Sequence, residues 1–199
     1  MPSSASHQDA VIAATRHWLA RAVIGLNLCP FAKSVYVKEQ VRYVVSQATE
    51  AADVLDDLER ELKLLAETEP AQVDTTLLIV PDALADFLEF NDVLLFAERL
   101  LKGLRLEGML QIASFHPQYQ FAGTEPDDIE NYTNRAPYPI LHLLREDSIA
   151  RAAEAFPDAS DIYERNMETM RRLGHAGWQR LMDGDDGDDS APSPRHADA

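Results

Sequence analysis

Between Asp74 and Pro81 the chain reads Thr-Thr-Leu-Leu-Ile-Val, six residues without a charge. So short a run has no room for a helix that buries itself, and Pro81 stops it. The pattern is that of a strand covered on both faces, in the middle of a sheet. The rest of the chain must then supply a layer on each side of that sheet, and it does so by alternation. Residues 9–26 carry Val11, Ala14, Trp18, Ala22 and Leu26 at three- and four-residue spacing, one apolar helical stripe. Residues 50–67 turn Ala52, Leu55, Leu58, Leu62 and Leu65 one way and Asp53, Asp57, Glu59, Arg60 and Lys63 the other, with Thr49 offering an N-cap. Residues 87–104 return to helical spacing and run out near Gly103 and Gly108.

The β-branched and aromatic run 41–46 and the run 109–115 read as further strands, and residues 35–37, after Pro30, as extended chain. Residues 140–145 are apolar except for His142 and fit either a strand or the first turn of a helix; a strand is preferred, with Asp147 or Ser148 capping a helix over 148–156. A last helix covers 160–182. The order predicts an α/β domain, or α+β if the sheet is mostly antiparallel: a small mixed sheet of about four strands covered by helices. Its expected span is 9–182, between a flexible leader at 1–8 and a disordered acidic tail at 183–199.

Composition bounds the function. The 199 residues, 46% hydrophobic, suffice for one sizeable core. Thirty-four acidic against 18 basic side chains give a net charge of −16, which repels phosphate backbones and argues against nucleic-acid or anionic-membrane partners. The single cysteine, Cys29, rules out an intramolecular disulfide framework and suits a reducing compartment. The N-terminus shows no basic stretch followed by an apolar one, and no apolar run approaches the roughly twenty residues that span a bilayer, so a cytoplasmic location is expected.

Three segments mix polar side chains with turn formers: Gly25 to Lys33 (GLNLCPFAK), Phe115 to Tyr119 (FHPQY) and Asn131 to Arg145 (NYTNRAPYPILHLLR). Together, in this order, they resemble the signature of a bacterial family known as domain of unknown function fourteen-fifteen, over most of residues 9–182. The resemblance implies a cytoplasmic bacterial protein and brings no reaction, substrate or catalytic residue with it. Cys29-Pro30-Phe31 is also similar to the Cys-Pro-Phe element of glutaredoxins and omega-type glutathione transferases. There, however, the cysteine follows a strand and opens a helix, whereas here a helix is expected before it and extended chain after it.

Site chemistry is therefore read from the residues. His116 directly follows a strand, where open α/β sheets present ligands, and is the first choice for a general base or metal ligand; the alternative is an imidazole bonded to a loop carbonyl. Cys29 is a nucleophile, ligand or pocket wall if a histidine lies near it, and otherwise a small buried hydrophobe. His142 meets His116 if their strands pair, and the two imidazoles, with Cys29 or a carboxylate, then make a weak transition-metal site. Lys33, Asn131, Asn134, Arg135, Tyr138 and Arg145 offer ammonium, amide, phenol and guanidinium groups for an anionic small molecule; equally, the two arginines pair with Glu125, Asp127, Asp128 or Glu146 to pin the long loop at 116–139. A small enzyme working through His116 and a noncatalytic binding module using the same loop are the two functions these residues allow.

Overall fold

The uncharged run after Asp74 is an interior strand. In a computed structural model that describes residues 4–154 and 161–184, β1 (Val41–Val45), β2 (Thr75–Ile79), β3 (Leu110–Phe115) and β4 (Ile140–Arg145) form one open sheet in the order β1-β2-β4-β3. β2 runs parallel to β1 and antiparallel to β4, β4 is antiparallel to β3, and all five residues of β2 are buried. The chain is a single α/β domain with a mixed sheet. Residues 140–145 are strand rather than helix because each finds a ladder partner, Ile140 opposite Phe115 and His142 opposite Ala113.

Alternation along the strands sends two different sets of side chains to the two faces. On the first face Leu78, Leu110, Leu141 and Leu143 meet α3 (Ala51–Glu67) through Val54, Leu58, Leu62 and Leu65 and α4 (Phe87–Gly103) through Phe90, Val93, Ala97 and Leu101. Asp86 starts α4 as its N-cap, its carboxylate accepting from the amides of Leu88 and Glu89, both at 2.9 Å. On the second face Leu77, Ile79 and Ile140 meet Val11 and Trp18 of α1 (Ser4–Trp18), then Leu19, Ala22 and Val23.

Several boundaries differ from expectation. Helix α1 begins at Ser4, so residues 4–8, read as a leader, are its first turns, and after Trp18 the chain continues as a π-helix, Leu19–Ile24. Residues 35–37 are not extended; they belong to α2 (Ala32–Val37). There Tyr36 and Ala32 pack on the second apolar cluster, and Glu39 closes the turn at φ 57° with its amide on the Tyr36 carbonyl, so packing overrides the β-branched preference. The cap of α3 is Glu50, not Thr49. Helix α5 (Glu146–Glu154) follows β4 with no loop between them, and α6 (Ile162–Asp183) ends the described chain. The acidic tail beyond residue 184 lies outside the described residues.

Candidate functional site

On the second face β3 presents Gln111, Ala113 and Phe115, and β4 presents His142 and Leu144. The Ala113 methyl stands directly opposite His142, a small residue beside a larger one, and the volume it leaves is not filled by a helix. A cavity of about 730 Å³ opens here. Its floor is the sheet, and its walls are Trp18, Leu19 and Val23, the Cys29–Phe31 turn with α2, and Ile149 and Ala152 of α5. The lining is mostly apolar. Around it stand a few polar groups: Cys29, Thr75, Gln111 and His142 within, Lys38, Asp74, Ser148 and Arg151 toward the exposed rim.

His142 is held in one tautomer. The Thr75 hydroxyl lies 2.6 Å from the Leu143 carbonyl, which can only accept, so its single proton goes there. The same oxygen is 2.7 Å from Nε2 of His142 and must accept from it. Nε2 therefore carries the proton and Nδ1 the lone pair. No described residue bonds Nδ1, and it is not among the sealed unpaired atoms, so it is left to the cavity. Burial pushes the imidazole pKa down to about 4, so the ring is neutral at pH 7.

Cys29 shares this cavity with His142. Burial raises its thiol pKa, opposed by hydrogen bonds from the Phe31 and Ala32 amides, so the sulfur is a thiol rather than a ready thiolate. Those amides open α2, which corrects the expectation of extended chain after the cysteine; a helical segment still precedes it.

Arg145 borders the cavity but its guanidinium is engaged elsewhere. It donates to the carbonyls of Leu65 at 2.7 Å, Thr68 at 2.5 Å and Val73 at 3.1 Å, closing the C-terminal end of α3. Positive charge at that end also opposes the helix dipole. Desolvation lowers its pKa, with Asp74 and Glu69 acting against the shift.

His116 lies on the other face. β3 delivers it one residue past Phe115, so it joins the first apolar cluster between Phe87 and Phe90, with ring centroids 5.2 and 5.1 Å away. It is 0% exposed. Nε2 donates to the Leu84 carbonyl at 3.0 Å and Nδ1 accepts from the Gln118 amide at 3.0 Å, so neither nitrogen is left for a proton or a metal; desolvation lowers its pKa. This corrects the choice of His116 as general base, and it corrects the metal pair as well. β3 and β4 do pair, but His116 and His142 have opposite parity and face away from each other across the sheet. Among the described residues no three His, Cys, Asp or Glu side chains group as metal ligands.

The long loop spends its polar groups on itself. Asn131, 0% exposed, accepts from the Phe121 amide and the Thr124 hydroxyl and donates to the Glu125 carbonyl. Arg135 donates to the carbonyls of Tyr119 at 3.2 Å and Pro126 at 2.6 Å and lies over the Tyr132 ring at 4.2 Å. Asn134 reaches the Ser114 carbonyl, and Tyr138 packs on the second apolar cluster. A 3-10 turn, Ile129–Thr133, fastens the loop to α6 through Glu130 with Arg171 and the Asp127 carbonyl with His175. The arginines are thus used structurally, but with backbone carbonyls rather than the acidic partners expected. Lys33 is exposed on α2 and, like these loop residues, does not line the cavity.

Of the residues singled out from sequence, Cys29, His142 and Arg145 border the cavity. Thr75, Gln111, Lys38 and Arg151 were missed. The pattern that could have found Gln111 is its parity with Ala113 and Phe115, a polar group on a strand face that also carries an alanine opposite a histidine.

Fold and cavity together define the class: a single α/β domain whose helices cover one sheet face fully and leave a small-molecule-sized chamber on the other. The chain belongs to the family described as protein of unknown function (DUF1415), whose model matches residues 10–180. No curated protein and no solved structure matches it.

Proposed function

We propose that this domain binds a small amphipathic molecule in the cavity on the second sheet face. The observation that carries the reading is the apolar chamber of about 730 Å³ with a few convergent polar groups, the size and lining of small-molecule sites. The apolar body of the ligand rests on Leu77, Phe115 and Leu144. Its anionic group stays at the mouth, where Lys38 and Arg151 are exposed on a chain otherwise rich in negative charge. The anion preference moves, on this reading, from the long loop to the rim. No described helix is long and apolar enough to cross a membrane, and a cytoplasmic metabolite is the natural occupant.

Decanoate is the probe. Trp18 lines the cavity and Trp178 does not, so in a Trp178→Phe variant the remaining indole reports occupancy. Saturable change in Trp18 emission is expected, lost in a folded Ala113→Phe variant that fills the chamber. Charge reversal at Lys38 and Arg151 should weaken decanoate while sparing decanol. Absence of saturation with either molecule sinks the reading.

A second, catalytic reading has one observation in its favour, the presence of Cys29 and His142 in the same cavity. The thiol, held protonated by burial, would act as nucleophile once His142 takes its proton. Alkylation by iodoacetamide distinguishes the two. Under the catalytic reading Cys29 reacts faster with His142 present than in His142→Ala; equal rates leave binding alone.

A further inference from the structure

The floor of the cavity differs chemically from its mouth. At the mouth the charges are cationic, whereas at the floor the one nitrogen without a protein partner is a hydrogen-bond acceptor. The chain that fixes it is complete: the Leu143 carbonyl takes the Thr75 proton, Thr75 Oγ1 takes the Nε2 proton of His142, and Nδ1 is left with a lone pair. In an apolar chamber an unpaired acceptor costs free energy, and only a guest bringing a proton relieves it. A carboxylate at that depth sets lone pair against lone pair, and an ether brings none. Gln111 stands on the neighbouring strand, diagonal to His142 on the same face, and its carboxamide has no partner among the described residues. It supplies the complementary N–H. A group that donates to one and accepts from the other is a hydroxyl.

We infer that the deep end of the cavity selects an uncharged hydroxyl carried on the apolar body of the ligand, with His142 Nδ1 as the acceptor that selects it. Thr75 is the positioning residue, acting through the tautomer it imposes. This deepens the binding reading above and rests on it: the ligand class becomes an apolar-bodied alcohol or phenol, entering hydroxyl first and leaving any anionic group at the rim.

The test compares 4-hexylphenol with its methyl ether, 4-hexylanisole, which keeps the body and removes the donor. In the native chain the phenol is expected to bind about tenfold tighter, the worth of one neutral hydrogen bond. In His142→Leu the two should bind alike. In Thr75→Val, where Nε2 loses its acceptor and the proton is free to move to Nδ1, the preference should shrink, and the ¹⁵N spectrum of the His142 ring should show Nδ1 becoming protonated. Should His142→Leu fail to fold, the Thr75→Val ratio and the native ¹⁵N assignment decide alone. Equal binding of both probes to the native chain, or an unchanged preference in His142→Leu, overturns the inference and leaves the cavity reading intact. Failure of both probes together with decanoate brings down the cavity reading itself.

Discussion

His116 and His142 are the same residue on adjacent strands, both with pKa values lowered by burial, yet they do opposite things. His116 projects from the face where α3 and α4 close over the sheet; both nitrogens are bonded and aromatic rings lie against it. His142 projects from the face that α1 covers only in part, and one nitrogen remains unpartnered. The difference comes from strand parity and from what stands opposite: an alanine methyl at His142, two phenylalanines at His116. A buried histidine with a depressed pKa is thus not in itself a sign of function. An unclaimed nitrogen at the edge of a void is the more telling feature.

If the first face is the sealed one, its polar anchors should be costly to remove. Arg145→Met is expected to lose the most, about 4 kcal/mol in urea denaturation, because the Leu65, Thr68 and Val73 carbonyls are left without their donor. His116→Ala should lose about 3 kcal/mol, from two hydrogen bonds and a vacated ring site, while decanoate binding on the far face is unchanged. A ligand-binding defect in that variant without loss of stability would reverse the assignment of the two faces.

The pH response follows from His142. Its folded pKa of about 4 lies below the ordinary histidine value of 6.5, so the unfolded chain takes up a proton that the native chain refuses. The stability it contributes is whole above pH 6.5 and is lost as pH falls toward 4. Between pH 7 and pH 5 this amounts to on the order of 2 kcal/mol, with His116 acting in the same direction. The free energy of unfolding in urea at the two pH values measures it, and His142→Leu should flatten the dependence. The smallest stability effect belongs to that substitution at pH 7, under about 1 kcal/mol, since Thr75 keeps its bond to Leu143. A loss several times larger would place His142 with His116 among the structural histidines.

The sheet was legible because its signals are local. The interior strand is marked by its uncharged run and Pro81, and α3 by a stripe of leucines that no other element interrupts. Residues 35–37 were misread because the packing of Tyr36 and Ala32 outweighed a weak intrinsic preference. The site was legible only in part. His142 and Cys29 could be picked as chemically able residues, but their shared cavity depends on the register Ala113 opposite His142, which no local pattern states. Asn131 and Arg135 were chosen for their donors, and those donors are real; the carbonyls they serve belong to the same loop, ten residues or more away for Phe121 and Tyr119.

The π-helical stretch Leu19–Ile24 bears on how such a chain can change over generations. A π-turn holds about one residue more than an α-turn, the form a helix takes when it has absorbed a single-residue insertion. Excising one residue between 19 and 24 would restore ordinary winding and swing everything downstream by about 100° about the axis. Cys29 and α2 would then leave the cavity wall while α1 kept its seat on the sheet. The depth and shape of the chamber are in this sense set by a single codon's worth of chain.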